Sequence, residues 1–289
     1  MTKKHTLVLQ DLRKHYVSDR LVSPDQPIKV LVVGAGGTGS RCLSWLAQMD
    51  YCLRKIGHKG FEATVMDDDT ISESNVGRQM FSISDIGLNK ATVFTTRVNN
   101  FFGLKWRGLP VRLTEHTIRR YDLHYGIDLI ITAVDNVASR ELVFNTFRQS
   151  HASASGPVYW IDTGCGRDSG QVVMGTLGPV HQPQGMGGVN ELPTVLDLYP
   201  DLASMETDLD QGPSCSVREA LERQGLFTNP FVADAAMSLL LDAITKGVLT
   251  GHGSYITMHP DEVTPLLIDL EMWKRMGVGS KVSKKAKAV

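Results

Sequence analysis

The chain has 289 residues, 42% of them hydrophobic and 21% charged, enough to bury one large core without disulfide or metal staples. Its 30 Lys+Arg balance 31 Asp+Glu to a net charge of −1, which excludes the basic bias of a dedicated nucleic-acid or membrane-surface binder. Four scattered cysteines without a C-x-x-C pair, a polar stretch over Met1–Arg20 and no long apolar run predict a reduced, cytoplasmic protein with no secretory leader, structural zinc site or membrane span.

Residues 1–27 are polar and read as an N-terminal arm with one short helix. Ile28–Val33 is an apolar, mostly β-branched run that stops at Gly34-Ala35-Gly36-Gly37-Thr38-Gly39, and Ser40–Asp50 reads as helix. Strand, glycine turn and helix in that order are the context a nucleotide-binding turn requires. A second strand, Phe61–Met66, ends in Asp67-Asp68-Asp69. Ser72–Ser84 is a polar loop, and Asp85 stands where it can cap a helix running to Phe102. A strand near Val111 and a short helix over Ile118–Tyr125 follow. Asp128–Val134 is almost wholly apolar, as suits a central parallel strand buried on both faces. Ala138–Gln149 is helical, and Val158–Asp162 and Gln171–Leu177 are strands.

Residues 178–215 carry five prolines and five glycines and form a long loop, the kind that often carries function. Helices over Ser216–Gln224 and Pro230–Lys246 precede two last strands, Ser254–Met258 and Val263–Ile268. Lys281, Lys284, Lys285 and Lys287 mark a basic, flexible tail over 276–289. The alternation of strand and helix predicts an α/β fold: a doubly wound, Rossmann-like, mostly parallel sheet with a C-terminal antiparallel extension over residues 28–275.

In such a sheet the ligand lies outside the carboxyl ends of the strands, where the glycine turn, Asp67–Asp69 and Asp135 all fall. Glycines let the backbone approach a phosphate, and the following helix supplies N–H groups and partial positive charge. A carboxylate at Asp67 suits a ribose hydroxyl, while Asp68 and Asp69 are either a solvated turn or part of a cation site. Arg78 and Lys90 can clamp a polyphosphate, with Asn75 and Gln79 beside them. Two cations next to three acids favour chemistry at phosphorus over hydride transfer. Asp135 can hold Mg²⁺; the competing role is an N-cap for the helix from Ala138. Cys215 sits at a possible helix start, a position that raises the thiolate fraction. Its rival is Cys165, between Gly164 and Gly166, while Cys42 and Cys52 read as core. The nine histidines form no ligand cluster.

Together, Val33–Ser40, Asp67–Gln79, Gly87-Leu88-Asn89-Lys90 and Asp135-Asn136 resemble the ThiF/MoeB/HesA family, bacterial relatives of ubiquitin-activating enzymes. Leu192–Pro200 and Asp210–Asn229 look more narrowly like the ThiF-type protein of PRTRC plasmid-associated gene clusters. The resemblance implies ATP-dependent adenylation of the C-terminal carboxylate of a small ubiquitin-like, β-grasp or sulfur-carrier-like protein. It carries Gly34, Gly36, Gly37 and Gly39 over as nucleotide contacts and Asp67, with Asp69 beside it, as the ribose site. Asn75, Arg78 and Lys90 become triphosphate ligands and Asp135 the Mg²⁺ ligand, and Cys215 a candidate for a following thioester. It also implies a homodimer in which an arm arginine, Arg13 or Arg20, completes the partner's site, although the usual arm motif and the paired C-x-x-C motifs are missing. The alternatives are an NAD(P)-dependent oxidoreductase, which the glycine turn and Asp67 alone permit, and a nucleotide-bound scaffold without chemistry.

Overall fold

A computed structural model describes residues 13–150, 158–202 and 225–278. In chain order it has β1 (His15–Tyr16), α1 (Asp19–Val22), β2 (Ile28–Val33), α2 (Gly37–Lys55), β3 (Phe61–Met66), α3 (Lys90–Phe102), β4 (Arg107–Leu109), α4 (Glu115–Arg120) and β5 (Leu129–Thr132). Then come α5 (Val137–Ser150), β6 (Tyr159–Cys165), β7 (Ser169–Thr176), α6 (Val195–Leu198), α7 (Thr228–Lys246), β8 (Val248–Leu249), β9 (Gly251–Met258), β10 (Asp261–Leu267) and α8 (Leu270–Arg275). Cys215, the expected helix over Ser216–Gln224 and the four tail lysines lie outside the described residues. Among the described residues no helix is long and apolar enough to cross a membrane.

The main sheet has the strand order β10-β9-β7-β6-β5-β2-β3-β4. β4, β3, β2, β5 and β6 are mutually parallel. β7, β9 and β10 add on antiparallel, so the expected parallel sheet with an antiparallel extension is the fold found. From β2 the chain winds outward through β3 to β4, then returns to β5 and winds the other way to β6. The order therefore reverses between β2 and β5, and crossovers of one hand running in opposite directions put α2 and α3 on one face and α5 on the other. α7 packs on α2, closing the first face, and α6 packs on α5. Leu129–Thr132 of β5 is buried throughout, as is Val30–Val33 of β2, which is the burial a central parallel strand requires.

Three segments differ from the expectations. The helix expected from Asp85 begins at Lys90, capped by Asn89, whose Oδ1 accepts from the Thr92 amide at 3.0 Å. Ile83–Asp85 forms its own 3₁₀ turn, and Gly87 at φ +86° breaks the path between them. The strand expected near Val111 is Arg107–Leu109, and the helix expected over Ile118–Tyr125 is Glu115–Arg120. The arm packs on the domain from Arg13 onward. β1 pairs antiparallel with β8, the Arg13 amide donates to the Ile268 carbonyl, and the His15 ring is fully buried against the Tyr159 hydroxyl.

Candidate active site

The reversal between β2 and β5 opens a crevice at the strand carboxyl ends, where open α/β sheets bind ligands. A cavity of about 280 Å³ lies there. Its floor is the glycine turn. Gly34 has φ +93°, which disfavours other residues, and a Cβ there would lie 2.4 Å from the Ala133 carbonyl oxygen. A Cβ on Gly39 would lie 2.0 Å from the Gly34 carbonyl oxygen, so that glycine lets α2 sit on β2. Gly36 meets nothing nearer than 3.9 Å and faces the cavity. No side chain caps α2 at Gly36, which leaves its first N–H groups available to an anion.

Asp67 ends β3 in the cavity wall. Its Oδ2 accepts from the Ala35 amide at 2.6 Å and its Oδ1 from the Asp69 amide at 2.9 Å. Burial pushes its pKa up, against the pull of the Lys90 charge and those two amides. Asp69, largely exposed, pairs with the buried Lys90 at 2.7 Å. Asp68 pairs with Arg112 at 3.3 Å, both exposed. Asp135 follows β5 and is exposed to the cavity. The competing cap role falls to its neighbour: Asn136 Oδ1 accepts from the Ser139 amide at 2.9 Å. Asp135 is thereby left facing the crevice, with an Asn136 Nδ2 donor at 3.3 Å.

Of the expected site residues, the cavity wall gathers Gly34, Gly36, Gly37, Asp67, Asp69, Lys90 and Asp135. Gly39, Asn75 and Arg78 do not line it. Asn75 Oδ1 accepts from the Ser72 amide and closes a 3₁₀ turn, and the half-buried Arg78 donates from Nε to the Ser74 carbonyl at 3.3 Å. Residues that sequence reading passed over complete the wall. Arg112 arrives from the loop after β4, Thr163 from the end of β6 and Asn229 from the start of α7. Cys165 lines it too, and burial pushes its thiol up to about 11, so it is mostly unionised at neutral pH.

Among the described residues four helices begin at this cavity: α2 at Gly37, α3 at Lys90, α5 beside Asn136 and α7 beside Asn229. Each N-terminus contributes about half a positive charge, which offsets the wall carboxylates and makes room for a polyanion. The donor set suits a hard cation as well. Asp67, Asp68 and Asp69 bring carboxylate oxygens within 4.8 Å of one another, while Asp135 stands apart from them after β5, beyond the intervening β2; carboxylate oxygen facing a phosphate site is the ligand type Mg²⁺ prefers.

Beneath the wall a buried pair ties two strands together. Arg140 Nε donates to Asp162 Oδ1 at 2.9 Å, and Arg140 Nη2 donates to the Val134 and Thr163 carbonyls at 2.9 and 3.3 Å. Thr132 Oγ1 donates to the same Asp162 oxygen at 2.6 Å. Burial raises the Asp162 pKa against both partners.

Comparisons with known proteins agree with this architecture. The chain is 32% identical over 121 residues to the adenylyltransferase and sulfurtransferase UBA4 of Yarrowia lipolytica, covering 41% of this chain and 27% of that protein. It is also 32% identical over 121 residues to the probable adenylyltransferase/sulfurtransferase MoeZ of Mycobacterium tuberculosis, covering 40% of this chain and 27% of that one. The chain thus spans about a quarter of the length of these curated relatives. Among solved structures it resembles E. coli MccB crystallised with ATP, with a TM-score of 0.53 at 16% identity over 86% of this chain and 65% of that one. That likeness speaks to the fold. Residues 26–258 match the ThiF family, and the chain belongs to it.

Proposed function

We propose that the protein adenylates the C-terminal carboxylate of a small ubiquitin-like or sulfur-carrier-like protein with ATP. The observation that carries this reading is the convergence of Asp67, Lys90 and Asp135 on one glycine-floored cavity at the strand reversal. Adenylyltransferase names among the curated relatives support it.

In the reaction a carboxylate oxygen attacks the α-phosphorus of ATP. A new O–P bond forms, the bond to the bridging oxygen breaks, and pyrophosphate leaves with that electron pair. A carboxylate is a weak nucleophile, so positioning and charge neutralisation carry the rate. Asp67 accepts the ribose hydroxyl, the first amides of α2 meet the α-phosphate, and Lys90 meets the leaving pyrophosphate by exchanging Asp69 for a phosphate oxygen. Arg78 joins Lys90 after turning away from Ser74, with Asn75 and Gly39 supporting that loop and turn. Asp135 would hold Mg²⁺, which when bound would neutralise charge on the triphosphate.

The rest of the family pattern follows at lower resolution. The setting is cytoplasmic, the narrower kinship is with the PRTRC-type proteins, and a thioester step on Cys215 would follow adenylation. Arg20 is paired with Asp128 at the opposite end of the sheet from the cavity. In a homodimer an arm arginine, Arg13 or an Arg20 released from Asp128, would serve the partner's cavity.

The test is pyrophosphate exchange. With a carboxylate-bearing ubiquitin-like protein present, label moves from pyrophosphate into ATP, and intact-mass analysis finds AMP on the partner. Lys90→Ala and Asp135→Asn each lower the exchange rate by about 10²–10³-fold, the scale for losing one aimed charge or donor. Nicotinamide binding without exchange favours the oxidoreductase. Full function of Asp135→Asn in the host favours the scaffold.

A further inference from the structure

We infer that Asn229, with Thr38 and Cys165, forms the pocket that receives the substrate's terminal acyl group, at the β6 end of the cavity. The inference rests on the adenylation reading and goes beyond it by saying where the carboxylate enters and what holds it.

The strand order supplies the direction. Across the carboxyl edge, β3 brings Asp67 and Asp69, β2 the glycine turn, β5 Asp135 and β6 Cys165. Lys90, the buried cation on the β3 side, sits against Asp69. Displacement at phosphorus keeps the attacking and leaving oxygens roughly in line. With the leaving pyrophosphate drawn toward Lys90, the attacking carboxylate comes from the opposite side, over β5 and β6.

The groups waiting there suit a carboxyl terminus. Asn229 is 3% exposed and stands in the first turn of α7. Thr38 Oγ1 donates to its Oδ1 at 3.2 Å, which turns the amide nitrogen toward the glycine turn. A Cβ on Gly37 would lie 2.2 Å from that nitrogen, so the glycine is what admits the Asn229 amide over the start of α2. Thr38 Oγ1 also lies 3.1 Å from Cys165 Sγ, joining the three side chains into one wall. The amide brings an N–H donor to the place where the acyl oxygen of an adenylate would lie, beside the N-termini of both α2 and α7. Thr163 and Ser139 complete this end with small side chains, leaving space for a chain terminus.

A matched pair of probes reads the pocket directly. Glycyl sulfamoyl adenosine is a stable mimic of an acyl adenylate, and sulfamoyl adenosine is the same molecule without the glycyl group. Calorimetry on the full chain is expected to show the glycyl compound binding about tenfold more tightly, the worth of one buried hydrogen bond. Asn229→Ala is expected to erase that preference while sulfamoyl adenosine binds within about threefold of wild type. Cys165→Leu, which fills the β6 end without touching the ribose site, is expected to do the same and covers the case in which the buried Asn229 variant fails to fold. Equal affinity of wild type for the two probes overturns the assignment. So does a preference that survives in both variants, or a loss shared equally by both probes. If wild type binds neither probe, the adenylation reading itself fails.

Discussion

Four glycines in one short motif do different work. Gly34 takes a left-handed backbone under the Ala133 carbonyl, Gly37 leaves room for Asn229, Gly39 seats α2 against the Gly34 carbonyl, and Gly36 faces open space. Gly39→Ala is therefore expected to cost about 3 kcal/mol or more, because the obstructing atoms are backbone and cannot swing aside. Gly36→Ala is expected to cost less, about 1 kcal/mol, since nothing crowds the new methyl and the cost left is that of its ψ of −146°, at the edge of the extended region. Urea unfolding of the two variants checks the contrast. The spacing pattern announced all four positions without separating these roles, which depend on what packs above each one. The same holds at Asp135. Its neighbour Asn136 takes the capping duty, a choice between two adjacent side chains that only their geometry decides.

At the scale of elements, strands β2 and β3 begin and end where the sequence places them, because β2 is buried on both faces from Val30 on and β3 buries Phe61, Ala63, Val65 and Met66 around the exposed Glu62. β1 and β8 are two residues each and leave no periodic trace. Their pairing is decided by the docking of the N-terminal segment along the end of α7. The junction of β5 and β6 depends on the buried Arg140–Asp162 pair, whose side chains are 8% and 1% exposed. Arg140 also holds the Val134 and Thr163 carbonyls, one residue before Asp135 and two before Cys165. Arg140→Ala is expected to destabilise by about 3–5 kcal/mol, since it removes the cation that offsets the burial of Asp162 and leaves Thr132 as its remaining side-chain donor. The double change Arg140→Met with Asp162→Leu is expected to recover most of that loss. Equilibrium urea unfolding of the single and double variants measures both.

For the whole molecule, the antiparallel extension brings His252 of β9 into the core, with Nδ1 at 2.8 Å from the Met174 carbonyl and the Trp273 ring edge-on at 5.3 Å. Burial, with the nearby His15, lowers its pKa from 6.5 to about 4, against the pull of that carbonyl. The folded protein therefore keeps His252 neutral while the unfolded chain takes up a proton below pH 6.5. Proton uptake by the unfolded state means that stability is lost as pH falls through this window, by about 3 kcal/mol between pH 6.5 and 4 from this residue. His252→Asn keeps a donor for the Met174 carbonyl and cannot titrate there. Its stability is expected to fall less steeply over the same range, as urea midpoints from pH 7 to 4 would show. The other acid-sensitive groups are common to both proteins and cancel in the comparison.

The amino-acid sequence alone determined the strand–turn–helix at Gly34–Gly39, the acids ending β3, the carboxylate after β5 and the alternation that makes a doubly wound sheet. These are short-range matters, dictated by backbone freedom, side-chain periodicity and the ends of apolar runs. Only the tertiary structure decided that Asn229 lies over Gly37, that Thr38 meets Cys165 across 127 residues of chain, and that Arg78 turns to Ser74 while Lys90 turns to the cavity. Contacts of that kind follow from strand order and from which helix covers which face. Those are settled by the packing of the whole core, and no local pattern encodes them.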